Sequence, residues 1–258
     1  WITYGSILSG SRSGQLMASA TEVLAKAKLA PFSQTVYRNI VSLVVSEDLF
    51  DDLTDDPDDY ATAQTIESLH RPPFYQSRSP IIDRPFEESQ WFDAVQFPFE
   101  HWQESRFSLG KFGVWYGASE LETSVFETAY HWLKRTLLEE GDLPVGRELQ
   151  RKVYLVDVEA LLLDIRSLTK TFPALISRSD YSLTQQIGQI VHRQGHPGLI
   201  TRSARCSGDV QAIFNLSVLS DPKAVQWLTY QIKSDGIITV YAGSSELLMI
   251  DSSDLLRP

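Results

Sequence analysis

Apolar residues recur at helical spacing in residues 15–29, where Leu16, Ala20, Val23, Leu24 and Ala27 share a face and Pro31 follows as a stop. An amphipathic helix is expected there. Residues 35–41 read as a strand extending toward Val45. A second strand-like run, 113–117, ends at Gly117, and Ser119 with Glu122 three positions on reads as a capping box. The helix it opens spans 120–139. Leu121, Val125, Phe126, Ala129, Tyr130, Leu133 and Leu137 form its apolar stripe, and Gly141 closes it. Strands are expected at 153–158 and 161–165, then a helix at 182–194 capped by Asp180 or Ser182 and ended by Gly195. Residues 198–201 follow, then a strand at 210–218 and two near 227–232 and 237–241, joined by a hairpin turn at Ser234-Asp235-Gly236. Helices and strands do not alternate strictly. The expectation is an α+β fold with mixed or antiparallel sheets and flanking helices, not a doubly wound parallel sheet.

Two stretches break the periodicity. Residues 46–59 are rich in carboxylates but lack the central glycine and closing glutamate of a calcium-binding EF-hand loop, so they read as a solvated acidic loop capping a helix over 60–69. Residues 71–103 combine prolines with aromatics such as Phe74, Trp91, Phe97, Phe99 and Trp102. Prolines interrupt regular structure while aromatics favour burial, so this is a packed excursion rather than a linker.

Composition narrows the function. The 258 residues carry a net charge of −10, which argues against a basic nucleic-acid-binding face. A hydrophobic content of 43% is too high for a disordered chain, and a single cysteine, Cys206, excludes an internal disulfide framework and a cysteine-based zinc cluster. No apolar run approaches the ~20 residues of a membrane span. The chain begins at Trp1 with no signal-peptide pattern, and a cytoplasmic location is expected.

Familiar hydrolytic and metal motifs are missing. His192 and His196 have zincin spacing, but Gly195 and Pro197 break the helix and Arg193 stands where the catalytic glutamate belongs. In Gly10-Ser11-Arg12-Ser13-Gly14 an arginine replaces the nucleophile of an esterase elbow. What remains are lone polar residues in informative places. Arg38 lies mid-strand between Val36 and Ile40, so if those face a core Arg38 does too, which is costly unless it meets an anion or forms a structural ion pair. Glu127 lies roughly 150° from the centre of its helix's apolar stripe at ~100° per residue, as a surface glutamate or one facing a cleft would. Ser203 follows Thr201-Arg202 as a loop serine.

Together these segments resemble a family. Arg38, then Arg106, Val114-Trp115-Tyr116-Gly117-Ala118-Ser119 and Thr123-Ser124-Val125-Phe126-Glu127, resemble the first half of a RES domain. Gly198-Leu199-Ile200-Thr201-Arg202-Ser203-Ala204-Arg205, followed by Gly208 and Ala212-Ile213-Phe214-Asn215, resemble its serine block. The resemblance implies a fold similar to ADP-ribosyltransferases and an NAD-degrading toxin paired with a helix-turn-helix antitoxin. NAD would be the substrate, cleaved at its nicotinamide–ribose bond by water or phosphate and with no metal. Transfer of ADP-ribose to a target protein is the alternative, and a non-catalytic acidic interaction module a further one. The implied catalytic residues are Arg38, Glu127 and Ser203; Arg38, Arg106, Tyr116, Ser203 and Arg205 would bind the dinucleotide. The implied organisation is a helical lead (1–33), an NAD-binding catalytic domain (34–250) and a tail (251–258). The lead and a long insertion at 46–105 are candidates for an antitoxin-binding surface, a lid or a dimer contact. No direct nucleic-acid or membrane partner is expected.

Overall fold

The structure, a computed structural model, describes residues 19–41, 89–143 and 145–257. The acidic loop at 46–59 and the helix expected at 60–69 lie outside them.

Helix α1 occupies described residues 19–26 and buries Ala20 and Val23. Strand β1, Lys28–Val41, starts well before the expected residue 35 and runs through Pro31. Proline is tolerated because β1 meets the strand on one edge only at Tyr37, which leaves no ladder to donate to beside Pro31. The described part of the aromatic excursion is regular rather than irregular. Residues 89–91 are helical, Phe92–Gln96 forms a π-helical turn, and α2, Phe97–Glu100, holds Pro98 in its first turn, where no N–H is needed. A small hairpin, β2 (Glu104–Ser105) and β3 (Ser108–Leu109), precedes β4, Trp115–Ala118. Helix α3, Leu121–Glu140, keeps the predicted stripe, and Gly141 closes it at φ 82°. Its capping box does not form: Ser119 Oγ instead accepts from the Gln211 side chain at 2.8 Å, a tertiary contact outcompeting a local one.

The two strands expected at 153–165 are one, β5, Glu148–Asp164, because its whole length from Arg151 pairs with β1. Helix α4, Ser182–Arg193, precedes the hairpin of β6, Gly198–Arg202, and β7, Asp209–Ile213. The strand expected at 210–218 ends at Ile213. Strands β8 (Leu219–Ile232) and β9 (Ile237–Ala242) turn at Gly236, where φ is 82°. Strand β10 (Ser245–Asp251) and helix α5 (Ser252–Leu256) complete the chain and had no clear sequence signal.

The eight-stranded sheet runs β1-β4-β7-β6-β5-β8-β9-β10, with β1 also paired to β5. All pairings are antiparallel except β5 with β6. This is the expected mixed α+β class. The extra pairing closes β1, β4, β7, β6 and β5 into a ring whose interior holds Val36, Trp115, Tyr154, Val156, Ile200 and Ile213. Each fully buried large apolar side chain contributes about 1.5–3 kcal/mol. Two outer cores lie against the ring: α4 with Leu163, Leu199 and Ala212, and α3 with Val153, Leu228 and Tyr230. Among the described residues no helix is long and apolar enough to cross a membrane.

Candidate active site

The site lies outside the ring, where α3 meets three loops. One stripe of α3 faces them: Thr123, Glu127, Tyr130 and Lys134, spaced four, three and four apart so that all fall on one side. The β6–β7 loop lies against this stripe because Gly208 has no side chain. A Cβ there would sit 1.8 Å from Thr123 Oγ1.

That approach brings Ser203 onto Glu127. The serine hydroxyl donates to Glu127 Oε1 at 2.6 Å and accepts from the backbone N–H of Arg205 at 2.9 Å and of Cys206 at 3.3 Å. With two N–H groups at its oxygen, the hydroxyl proton is directed to the carboxylate. Ser203 is buried and Glu127 half-buried, so a short charge-assisted contact holds the carboxylate in place.

Arg205 extends the site. Only 5% exposed, its guanidinium lies 3.2 Å from the Tyr130 ring centroid. Its Nη2 donates to the Arg178 carbonyl at 2.7 Å and to the Tyr181 hydroxyl at 3.2 Å. Across the Tyr181 ring, Arg106 sits 4.5 Å from the centroid and donates to the Ser177 carbonyl at 2.9 Å.

Arg106 occupies the two-residue turn of the β2–β3 hairpin, and several contacts fix that turn. Tyr116 donates its hydroxyl to Ser105 Oγ at 3.0 Å and accepts from the Phe107 N–H at 3.2 Å. Burial pushes the Tyr116 phenol up to about 12, so it stays protonated. Gln185 of α4 donates to the Ser105 carbonyl at 3.1 Å, and Gly188 lets α4 lie directly on the Phe107 backbone. Tyr116 is therefore engaged in shaping the Arg106 turn.

The structure gathers Glu127, Ser203, Arg205, Arg106 and Tyr116, and joins Arg38 to them through the Tyr116 carbonyl alone among these five. Arg38 faces the ring interior with Val36, as the alternation predicted, while Tyr37 and Asn39 point toward α3. Its Nη1 donates to the Tyr116 carbonyl at 3.0 Å, its guanidinium lies 5.5 Å from the Trp115 ring, and its Nε has no partner among the described residues. Burial, with Arg151 adding repulsion, holds it down to about 10. The sheet itself separates Arg38 from Glu127, because neighbouring strand residues point to opposite faces.

Tyr130, Lys134 and Tyr181 were not read as site residues. Tyr130 is core, as its stripe predicts, and its ring also carries Arg205. Tyr181 follows a loop and carried no signal. His192, one of the two histidines at zincin spacing, stacks on Phe112 at 4.1 Å. Among the described residues no three His, Cys, Asp or Glu side chains are grouped to hold a metal.

The RES domain matches residues 81–233, more than half of the chain, and spans every residue of this cluster. The chain belongs to the RES domain family. Arg38 lies outside the matched RES residues, whereas Arg106, Glu127 and Ser203 lie within them. The crystal structure of the M. tuberculosis MbcT–MbcA toxin–antitoxin complex is similar over 84% of this RES protein and 93% of that chain, at 12% identity and a TM-score of 0.44. No curated protein matches.

Proposed function

We propose that this RES protein cleaves NAD at the nicotinamide–ribose bond, with water or inorganic phosphate as acceptor, and acts as the toxin of a toxin–antitoxin pair. The observation that carries the reading is the 2.6 Å contact of Ser203 with Glu127 beside two arginines. As the C1′–N bond breaks, its electron pair leaves with nicotinamide and positive charge develops on the ribose. A fixed carboxylate offsets that charge, and its fixed position avoids reorganisation at the moment of reaction. Glu127 has this role, and Ser203 orients it. Arg106 and Arg205 hold the anionic diphosphate, and Tyr116 holds the turn that presents Arg106. The acceptor oxygen then bonds to C1′: water gives up a proton to solvent as it does so, whereas phosphate attacks through an unprotonated oxygen.

In this arrangement the arginine role that the resemblance implies for Arg38 falls to Arg106. NAD loss would arrest growth, and a helix-turn-helix antitoxin would keep the site covered. Incubating purified protein with NAD, with and without phosphate, and measuring nicotinamide tests the reading. Release is expected. No release in either condition refutes it, and label transferred from NAD to protein would redirect it to ADP-ribosyl transfer.

A further inference from the structure

Three cations converge on two tyrosines beside the Glu127–Ser203 pair. Arg205 lies on Tyr130 and Arg106 on Tyr181, while Lys134 Nζ is 5.9 Å from the Tyr130 centroid and 5.6 Å from that of Tyr181. In a chain of net charge −10, none of the three forms an ion pair with a carboxylate among the described residues. Arg205, buried at 5% exposure, also keeps Nε and Nη1 without acceptors among the described residues. A buried guanidinium with unfilled donors is costly unless an anion completes it. The ordinary remedy, a neighbouring Asp or Glu, is used elsewhere in this fold: Asp209 accepts from both Arg166 and Arg202 at 2.6 Å. Here aromatic faces replace it. A ring stabilises a cation without neutralising it, so the positive field remains for a ligand.

From this we infer that Lys134 and Tyr181, with Arg106 and Arg205, build a station for a diphosphate group, in which Lys134 is a binding residue and Tyr181 a positioning residue. This rests on the NAD reading and names two residues it did not include. Tyr181 is the hinge of the arrangement because one side chain meets both arginines. Its ring carries Arg106 and its hydroxyl oxygen accepts from Arg205, so losing it frees both guanidiniums at once. Lys134 adds a third charge on the same stripe, about two helical turns from Glu127. A diphosphate, with two adjacent anionic groups, matches several cations better than a single carboxylate does.

The test is titration calorimetry of the full chain with inorganic pyrophosphate, inorganic phosphate and ADP-ribose, beside nicotinamide-release kinetics. Wild type is expected to bind pyrophosphate and ADP-ribose more tightly than phosphate. Tyr181→Ala should weaken pyrophosphate at least about tenfold, Lys134→Met about three- to tenfold, and Tyr181→Phe less than Tyr181→Ala, since it keeps the ring. In kinetics Tyr181→Ala should raise KM more than it lowers kcat. If Tyr181→Ala does not fold, Tyr181→Phe and Lys134→Met carry the test. Unchanged pyrophosphate affinity in folded Lys134→Met together with folded Tyr181→Ala or, failing that, Tyr181→Phe overturns the inference, as does tighter binding of phosphate than of pyrophosphate. Wild type that binds pyrophosphate without releasing nicotinamide refutes the NAD reading alone. Wild type that releases nicotinamide without binding pyrophosphate refutes the station alone.

Discussion

Gly188→Ala tests whether the contact of α4 with the Arg106 turn sets the site. An added Cβ would sit 1.9 Å from the Phe107 carbonyl oxygen and 2.8 Å from its carbonyl carbon. A C···O contact needs about 3.3 Å, so the turn and α4 must separate by about 1 Å or more. Helix propensity alone favours alanine by about 1 kcal/mol. Overpacking opposes it by about 1–3 kcal/mol, at the upper end here because the obstacle is backbone rather than a flexible side chain. The net expectation is a loss of about 1–2 kcal/mol, which for a chain of this size lowers Tm by roughly 2–8 °C. Arg106 moves with the turn, and a misplacement near 1 Å costs on the order of 10²-fold in rate. Thermal unfolding and nicotinamide release measure the two effects. A Tm equal to or above wild type, with full release, would mean that propensity decides and that the α4 contact does not position Arg106.

Glu127→Gln should fold normally and lose about 10²-fold or more in nicotinamide release, since an uncharged amide cannot offset charge on the ribose. Ser203→Ala removes the acceptor of two N–H groups as well as the donor to Glu127, so it should lose about 1–3 kcal/mol of stability by denaturant titration as well as activity. Arg38→Met removes the donor to the Tyr116 carbonyl but no contact of Glu127 or Ser203, so it should keep KM and kcat near wild type with a small fall in Tm; lost activity at unchanged Tm would return Arg38 to the site. Asp164, bonded by Arg166, is held below the usual carboxylate range. A lowered folded value makes its contribution present above about pH 4 and lost as the pH falls through that folded value. Asp164→Asn should therefore lower Tm at pH 7 and converge with wild type as the pH falls below that folded value; a gap that stays constant on acidification would contradict the pairing.

Sequence periodicity determined the elements whose burial is local. The apolar stripe of α3 and its stop at Gly141, helix α4, and the β8–β9 turn follow from side-chain spacing and glycine's access to positive φ. So did the direction of Arg38, since a strand's alternation fixes which face a side chain shares with Val36. What that face encloses was decided only by closure of β1 onto β5, a pairing between residues more than a hundred positions apart. That closure made one strand of 148–164, kept Pro31 inside β1, and put Arg38 on the inner face of the ring, beside Trp115 and the Tyr116 carbonyl. Glu127, Ser203, Arg106 and Arg205 were legible because their types suit the chemistry and their segments resemble a family. Their partners were not. Tyr130 looks like core on its helix and Tyr181 like any loop tyrosine, and each gained meaning only when tertiary packing laid an arginine on its ring. The net charge of −10 describes the surface. The cations gathered between α3 and its loops are a property of the packing, because a sequence counts charges but only a fold determines which of them meet.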